Sequence, residues 1–141
     1  MKIQKIKLIF FHPYSSIGGV DLSLSTIINN LNPKKYSIDF ICIKRAKNAI
    51  SLNTNVQIYE LKTARTLFSF FKFRKIIKYV LRAKYKKTIL ISNQNFANII
   101  LYFFTFRIRD KLKLIAFERN HLNELNYSFN LKDKFKKSMI K

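Results

Sequence analysis

Three polar stretches interrupt otherwise apolar runs, and they hold the residues able to do chemistry: "HPYSSIGGVD" (12–21), "SNQN" (92–95) and "FERNH" (117–121). His12 and His121 are the two histidines of the chain. An imidazole suits proton transfer near neutral pH, and Glu118 close to His121 adds a carboxylate for general acid or base work. Taken one at a time, each histidine reads as a polar loop residue. Gly18 and Gly19 are the only glycines and stand just before a helical pattern. Two glycines there let the backbone turn sharply and approach a ligand closely, and the helix start offers free N–H groups to an anion. The same pair also fits a plain tight turn. Asp21 falls in the first turn of that helix, where a negative charge suits the dipole. Asn93 and Asn95 could hydrogen-bond sugar hydroxyls or cap the helix that follows them. Arg119 and Asn120 complete the last cluster, which would otherwise solvate a loop.

Several chemistries are excluded. G-x-G-x-x-G is absent, and no Lys-Ser/Thr follows the glycines, so neither standard nucleotide fingerprint is present. Two histidines without a cysteine partner make a poor metal site, and no metal is expected. The single cysteine, Cys42, lies in the strand-like "SIDFICI" and reads as a small core residue.

The elements that must position these residues follow from the apolar pattern. "KIKLIFF" (5–11), "YSIDFICI" (36–43), "VQIYEL" (56–61), "TILIS" (88–92) and "KLKLIAFER" (111–119) read as five strands, several of them continuously apolar as in buried parallel sheets. Leu24, Ile27, Ile28 and Leu31 recur on one helical face, and Asn32-Pro33 ends that helix. A long helix runs through "LFSFFKFRKIIKYVLRAKYKK" (67–87), with Phe73, Ile76, Ile77, Val80 and Leu81 as its apolar stripe. "NQNFANIILYFFTF" forms another helix, and "SFNLKDKFKKSMIK" is weakly helical. Strands alternating with helices predict an α/β fold: a Rossmann-like open parallel sheet of five or more strands with helices on both faces. Right-handed crossovers place the first strand near the middle, and loops 12–19, 93–98 and 119–126 on the carboxyl edge where such sheets bind ligands. Residues 1–141 read as a single domain, without repeats or a linker.

The net charge is +21 in 141 residues. It suggests an anionic partner, although a composition rich in Lys, Ile, Asn, Phe and Tyr also fits an AT-rich coding sequence. Lys72, Arg74, Lys75, Lys78 and Arg82 ring the long helix with no acidic residue among them, the pattern of a basic amphipathic helix docking to an anionic membrane surface. A core-packed helix with a solvated basic face is the competing explanation. "LFSFFKF" could dip into a bilayer interface or join the core. No apolar stretch is long enough to span a membrane, and the start of the chain makes a poor signal peptide. The chain therefore reads as cytoplasmic, either soluble or peripheral at the inner face of the cytoplasmic membrane.

Four features, taken in order, resemble the N-terminal domain of glycosyltransferase family 4, of the GT-B class with two Rossmann-like domains. They are "GGVD" at a helix start, "LNPKKYSIDFICI" leading into the second strand, "VQIYEL" with the long helix and then "TILISNQNFANIIL", and "LIAFERNHLNEL" at the end of the fifth strand. The similarity covers nearly the whole chain. Departures are Leu22 where the family often has Arg, Asp21 for the usual Glu, and "KY" for "GY" before the second strand. The resemblance implies a glycosyltransferase moving a sugar from a nucleotide-sugar donor to a polysaccharide or lipid-linked acceptor in cell-surface glycan synthesis. It implies no cofactor, the nucleotide-sugar being a substrate. It also implies that these 141 residues are the acceptor-side half, without the C-terminal nucleotide-sugar domain. Carried onto this sequence, Gly18, Gly19, Asp21 and His12 form the donor-phosphate loop. Asn93, Asn95, Arg119 and Asn120 face the acceptor, and His121 with Glu118 are the catalytic candidates. The alternatives are an inactive truncated fragment, or a basic α/β module binding anions or nucleic acid. Nucleic acid is disfavoured because no recognition helix or stacking platform is apparent.

Overall fold

The computed structural model describes residues 5–15, 18–63, 66–83 and 85–117. The elements run β1 (Ile6–Phe11), β2 (Tyr14–Ser15), α1 (Gly19–Asn29), β3 (Tyr36–Cys42), β4 (Lys44–Arg45), β5 (Val56–Glu60), α2 (Thr66–Arg82), β6 (Lys87–Ser92), α3 (Asn95–Phe104), a 3₁₀ turn (Arg109–Lys111) and β7 (Lys113–Ala116). Five strands form one all-parallel sheet in the order β5-β3-β1-β6-β7, so β1 is its centre, as the crossover rule requires. β2 and β4 pair separately as a two-residue parallel ribbon. The chain is thus an α/β fold of the Rossmann-like kind.

The alternation of side chains along β1 divides the core. Leu8 and Phe10 pack on one face with Leu24 and Ile28 of α1. Ile9 and Phe11 pack on the other with Phe73 and Ile77 of α2 and Leu101 and Phe104 of α3. Phe11 meets Phe73 edge-on at 5.1 Å and 70°, a favoured aromatic geometry. Each fully buried side chain of this size contributes about 1.5–3 kcal/mol relative to exposure, which is what holds helices onto both faces of the sheet.

Local differences from the sequence expectation have physical causes. Ile27 is 46% exposed, whereas Ser25 is buried, its hydroxyl satisfied by the Leu22 carbonyl at 2.8 Å. Helix α2 stops at Arg82, and Lys87 belongs to β6 rather than to the helix. "LFSFFKF" splits: Phe73 is core, while Phe68 and Phe71 are exposed. Lys7 and Asp39 are buried within the central strands, where Lys7 Nζ lies 2.6 Å from Asp39 Oδ1. The helix expected after residue 127 lies outside the described residues.

Candidate functional site

Strands β1 and β6 are neighbours, yet the chain leaves them in opposite directions. From β1 it passes through α1 to β3; from β6 it passes through α3 to β7. Their carboxyl ends therefore flank the sheet's switch point, where open α/β sheets form a crevice. His12 follows β1 directly, and its N–H bonds the Ile41 carbonyl at 3.0 Å. Asn93 follows β6 directly. The His12 ring spans the switch point, with Nδ1 3.0 Å from Asn93 Oδ1 and Nε2 3.0 Å from Asp21 Oδ1 in the first turn of α1.

The three side chains of this bridge are buried, and His12 is 0% exposed. With the Asn93 oxygen toward it, the ring donates from both nitrogens and is an imidazolium facing the Asp21 carboxylate. With the Asn93 amide turned over, a neutral ring accepts at Nδ1 from Asn93 Nδ2, which otherwise has no partner among the described residues. In either arrangement both nitrogens are engaged. His12 is thus not a solvated loop residue, and it presents no free nitrogen to a ligand. It latches α1 onto the ends of β1 and β6.

That latch fixes the glycine turn. Gly18 is the N-cap of α1 in an extended conformation, φ −146°, and makes no side-chain cap bond. Neither glycine has positive φ, so the turn does not demand glycine for its backbone angles. What glycine provides is room. A Cβ on Gly18 would come 3.4 Å from Asp21 Oδ2, while one on Gly19 would meet nothing within 4 Å. The Asp21 carboxylate already sits at the positive end of α1, so an incoming anion competes with it unless His12 is charged.

A second part of the carboxyl edge went unread in the sequence. A cavity of about 460 Å³ opens between Tyr14, Ile43, Lys44, Glu60, Lys62 and Thr63. Lys62 adopts φ 48°, the left-handed region uncommon for a residue other than glycine. Its N–H bonds the Ile43 carbonyl at 3.0 Å. The Thr63 hydroxyl is buried without a partner among the described residues. Glu60 is held by the Arg45 N–H at 3.0 Å. Burial first, then the Glu60 charge, push the nearby Cys42 thiol up to about 11, against the opposing pull of Arg45. The signal was present: "KRAKN" and "KT" follow strands just as "SNQN" does. Tyr14 stacks on Phe96 at 6.4 Å, tying this cavity to α3.

Farther along the edge, Asn98 accepts from the Ser92 hydroxyl and donates to the Phe117 carbonyl at 3.1 Å, joining the ends of β6 and β7. Asn95 opens α3, and its side chain lies outside the described set. Glu118, Arg119, Asn120 and His121 also lie outside the described residues.

Of the five basic residues on α2, Lys72 is turned back to the Leu61 carbonyl at 2.8 Å and Arg74 covers the Phe70 ring at 5.1 Å. Lys75, Lys78 and Arg82 are exposed. On the same side of the sheet, α3 exposes Phe96, Ile99, Tyr102 and Phe103, and α2 exposes Phe68 and Phe71. Among the described residues no helix is long and apolar enough to cross a membrane, and no group of three His, Cys, Asp or Glu lies together. No known family model and no curated protein sequence matches this chain.

Proposed function

We propose that this chain is the acceptor-side half of a glycosyltransferase. Its carboxyl edge would meet the phosphates of a nucleotide-sugar, and a second nucleotide-binding domain would complete the site. One observation supports this above the others: α1 begins at the switch point with a glycine pair and open space at Gly19, held in place by the buried His12 bridge. Free N–H groups at a helix start, with no Cβ in front of them, suit close approach of a phosphate oxygen. Lys44 and Lys62 at the neighbouring cavity supply positive charge on the same edge. The acceptor would be a polysaccharide or lipid-linked glycan. The outward aromatic and basic residues of α2 and α3 would rest on an anionic membrane carrying it, since aromatic rings favour the interface and cations the headgroups.

Amide spectra of the labelled chain, titrated with UDP-glucose, GDP-mannose and inorganic phosphate, test the first part. Half a site should bind weakly, with Gly18, Gly19 and Val20 amides moving at about 1 mM nucleotide-sugar and less with phosphate. Amides there that stay still with both nucleotide-sugars, or follow phosphate equally, would overturn it. Sedimentation with phosphatidylglycerol and phosphatidylcholine vesicles tests the second part. Binding to the anionic vesicles that Phe71→Asp and Phe103→Asp weaken is expected; failure on both lipids rejects docking.

A further inference from the structure

At the opposite, amino end of the sheet lies a larger cavity, of about 520 Å³, between the C-terminal turns of α2 and the starts of β1, β3 and β5. Its floor is the buried pair of Lys7 and Asp39. Lys7 is fully engaged: its ammonium donates to Asp39 Oδ1 at 2.6 Å and to Ser37 Oγ at 3.1 Å, and it lies 5.2 Å from the centre of the Tyr85 ring. Asp39 is not. The residue is 1% exposed, and its Oδ2 has no hydrogen-bond partner among the described residues. A buried acceptor left in this way is unfavourable until a donor reaches it. Around the opening stand Gln57 on β5 and Arg82 at the end of α2, whose side chains make no hydrogen bond to another described residue. Tyr59 and Tyr79 add two phenols and two ring faces, Tyr79 being 69% exposed. Burial first, then the Asp39 charge, hold the Tyr59 phenol above its ordinary range, so it stays an O–H donor.

The chemistry of these groups selects a class of occupant. Among the described residues an anion would face Arg82 alone, because the Lys7 charge is taken up by Asp39, and it would bring no proton for Asp39 Oδ2. A cation could serve Oδ2 but would meet Lys7 and Arg82. A neutral molecule carrying several hydroxyls can donate to the carboxylate, exchange hydrogen bonds with the amide and guanidinium, and lay its C–H face on a tyrosine ring. The volume falls in the range of small-molecule sites. We propose that this cavity is a second ligand site, separate from the carboxyl edge, that takes a neutral hydroxyl-rich molecule of the sugar or polyol class.

Saturation-transfer NMR on the full chain, with methyl glucoside, methyl galactoside, N-acetylglucosamine, maltose and inositol as probes, tests it. Saturation transfer to at least one probe is expected. Gln57→Ala and Tyr79→Ala should each weaken binding about three- to tenfold, the loss of one hydrogen bond or ring contact. Both residues are exposed, so the fold tolerates their truncation, which circular dichroism checks. The amides of Gly18 and Gly19 should not move, which separates this site from the nucleotide-sugar edge. No transfer to any probe, binding indifferent to both substitutions, or a response only to inorganic phosphate or spermidine would each overturn the proposal.

Discussion

Replacing His12 by phenylalanine probes the bridge that holds the glycine turn. The substitution keeps a planar ring in the slot, where the imidazole centre lies 6.3 Å from that of Phe40, and removes both polar nitrogens. The side-chain amide of Asn93 and Oδ1 of Asp21, each 3.0 Å from the imidazole, then lose that partner inside a buried site. Losing a buried hydrogen-bond partner costs about 1–3 kcal/mol, and more beside a charge, so the two lost bonds together predict a loss of about 2–5 kcal/mol. A domain of ordinary stability holds about 5–15 kcal/mol, so the variant should remain folded but be markedly weakened. The chain has no tryptophan, so urea unfolding is best followed by far-ultraviolet circular dichroism. The midpoint should fall with the slope unchanged. Adding Asn93→Leu to His12→Phe should cost less than Asn93→Leu alone, with a coupling of about 1 kcal/mol or more. A loss under about 1 kcal/mol at constant slope, without coupling, would mean that the Asn93 and Asp21 side chains are satisfied without the imidazole and that the bridge does not hold α1 in place.

Three further predictions concern the edge, the buried pair and the thiol. Gly19→Ala should leave the fold intact or stabilise it by about 0.4–1 kcal/mol, because its Cβ meets nothing within 4 Å, yet it should weaken nucleotide-sugar binding; measurable destabilisation in urea would contradict the open space. Lys7→Met should cost about 3–5 kcal/mol at pH 7 by stranding Asp39. Burial already holds the Asp39 carboxyl above its ordinary 3.8, with Lys7 opposing, so losing Lys7 raises it further and the folded state takes the proton before the unfolded chain does. Relative to the parent, the variant should thus regain stability as pH falls from that raised value towards 3.8, and a deficit constant with pH in urea titrations would refute this account. Cys42, fully buried and pushed up to about 11, should resist a disulfide-exchange reagent at about pH 8 until urea unfolds the chain; rapid native labelling would show that the strand end opens.

The sheet was legible because its central strands are largely apolar on both faces. "KLIFF" and "DFICI" can satisfy their hydrophobic surface only between two layers of helix, and the strand–helix alternation then put β1 at the centre and His12 and Asn93 at the carboxyl edge. The place of α1 followed from Leu24 and Ile28, although not the exchange of Ile27 for Ser25, which depends on how the helix rolls against the sheet. The end of α2 was misread because its basic, straight-chain residues suit a helix beyond Arg82, while pairing of Lys87 with Ile6 draws the chain into β6 instead.

The sequence by itself therefore determined the architecture and the edge on which His12 and Asn93 stand, since both depend on local periodicity and on burial averaged over whole elements. Only the tertiary structure decided which polar groups meet. His12 and Asn93 are 81 positions apart, and Lys7 and Asp39 are 32 apart. Each of the four has the look of a solvated residue in its own neighbourhood. Parallel pairing brings them within hydrogen-bonding distance after the apolar faces have closed over them. The burial that gives these contacts their strength is a property of the packed sheet and helices, and no short stretch of the chain carries it.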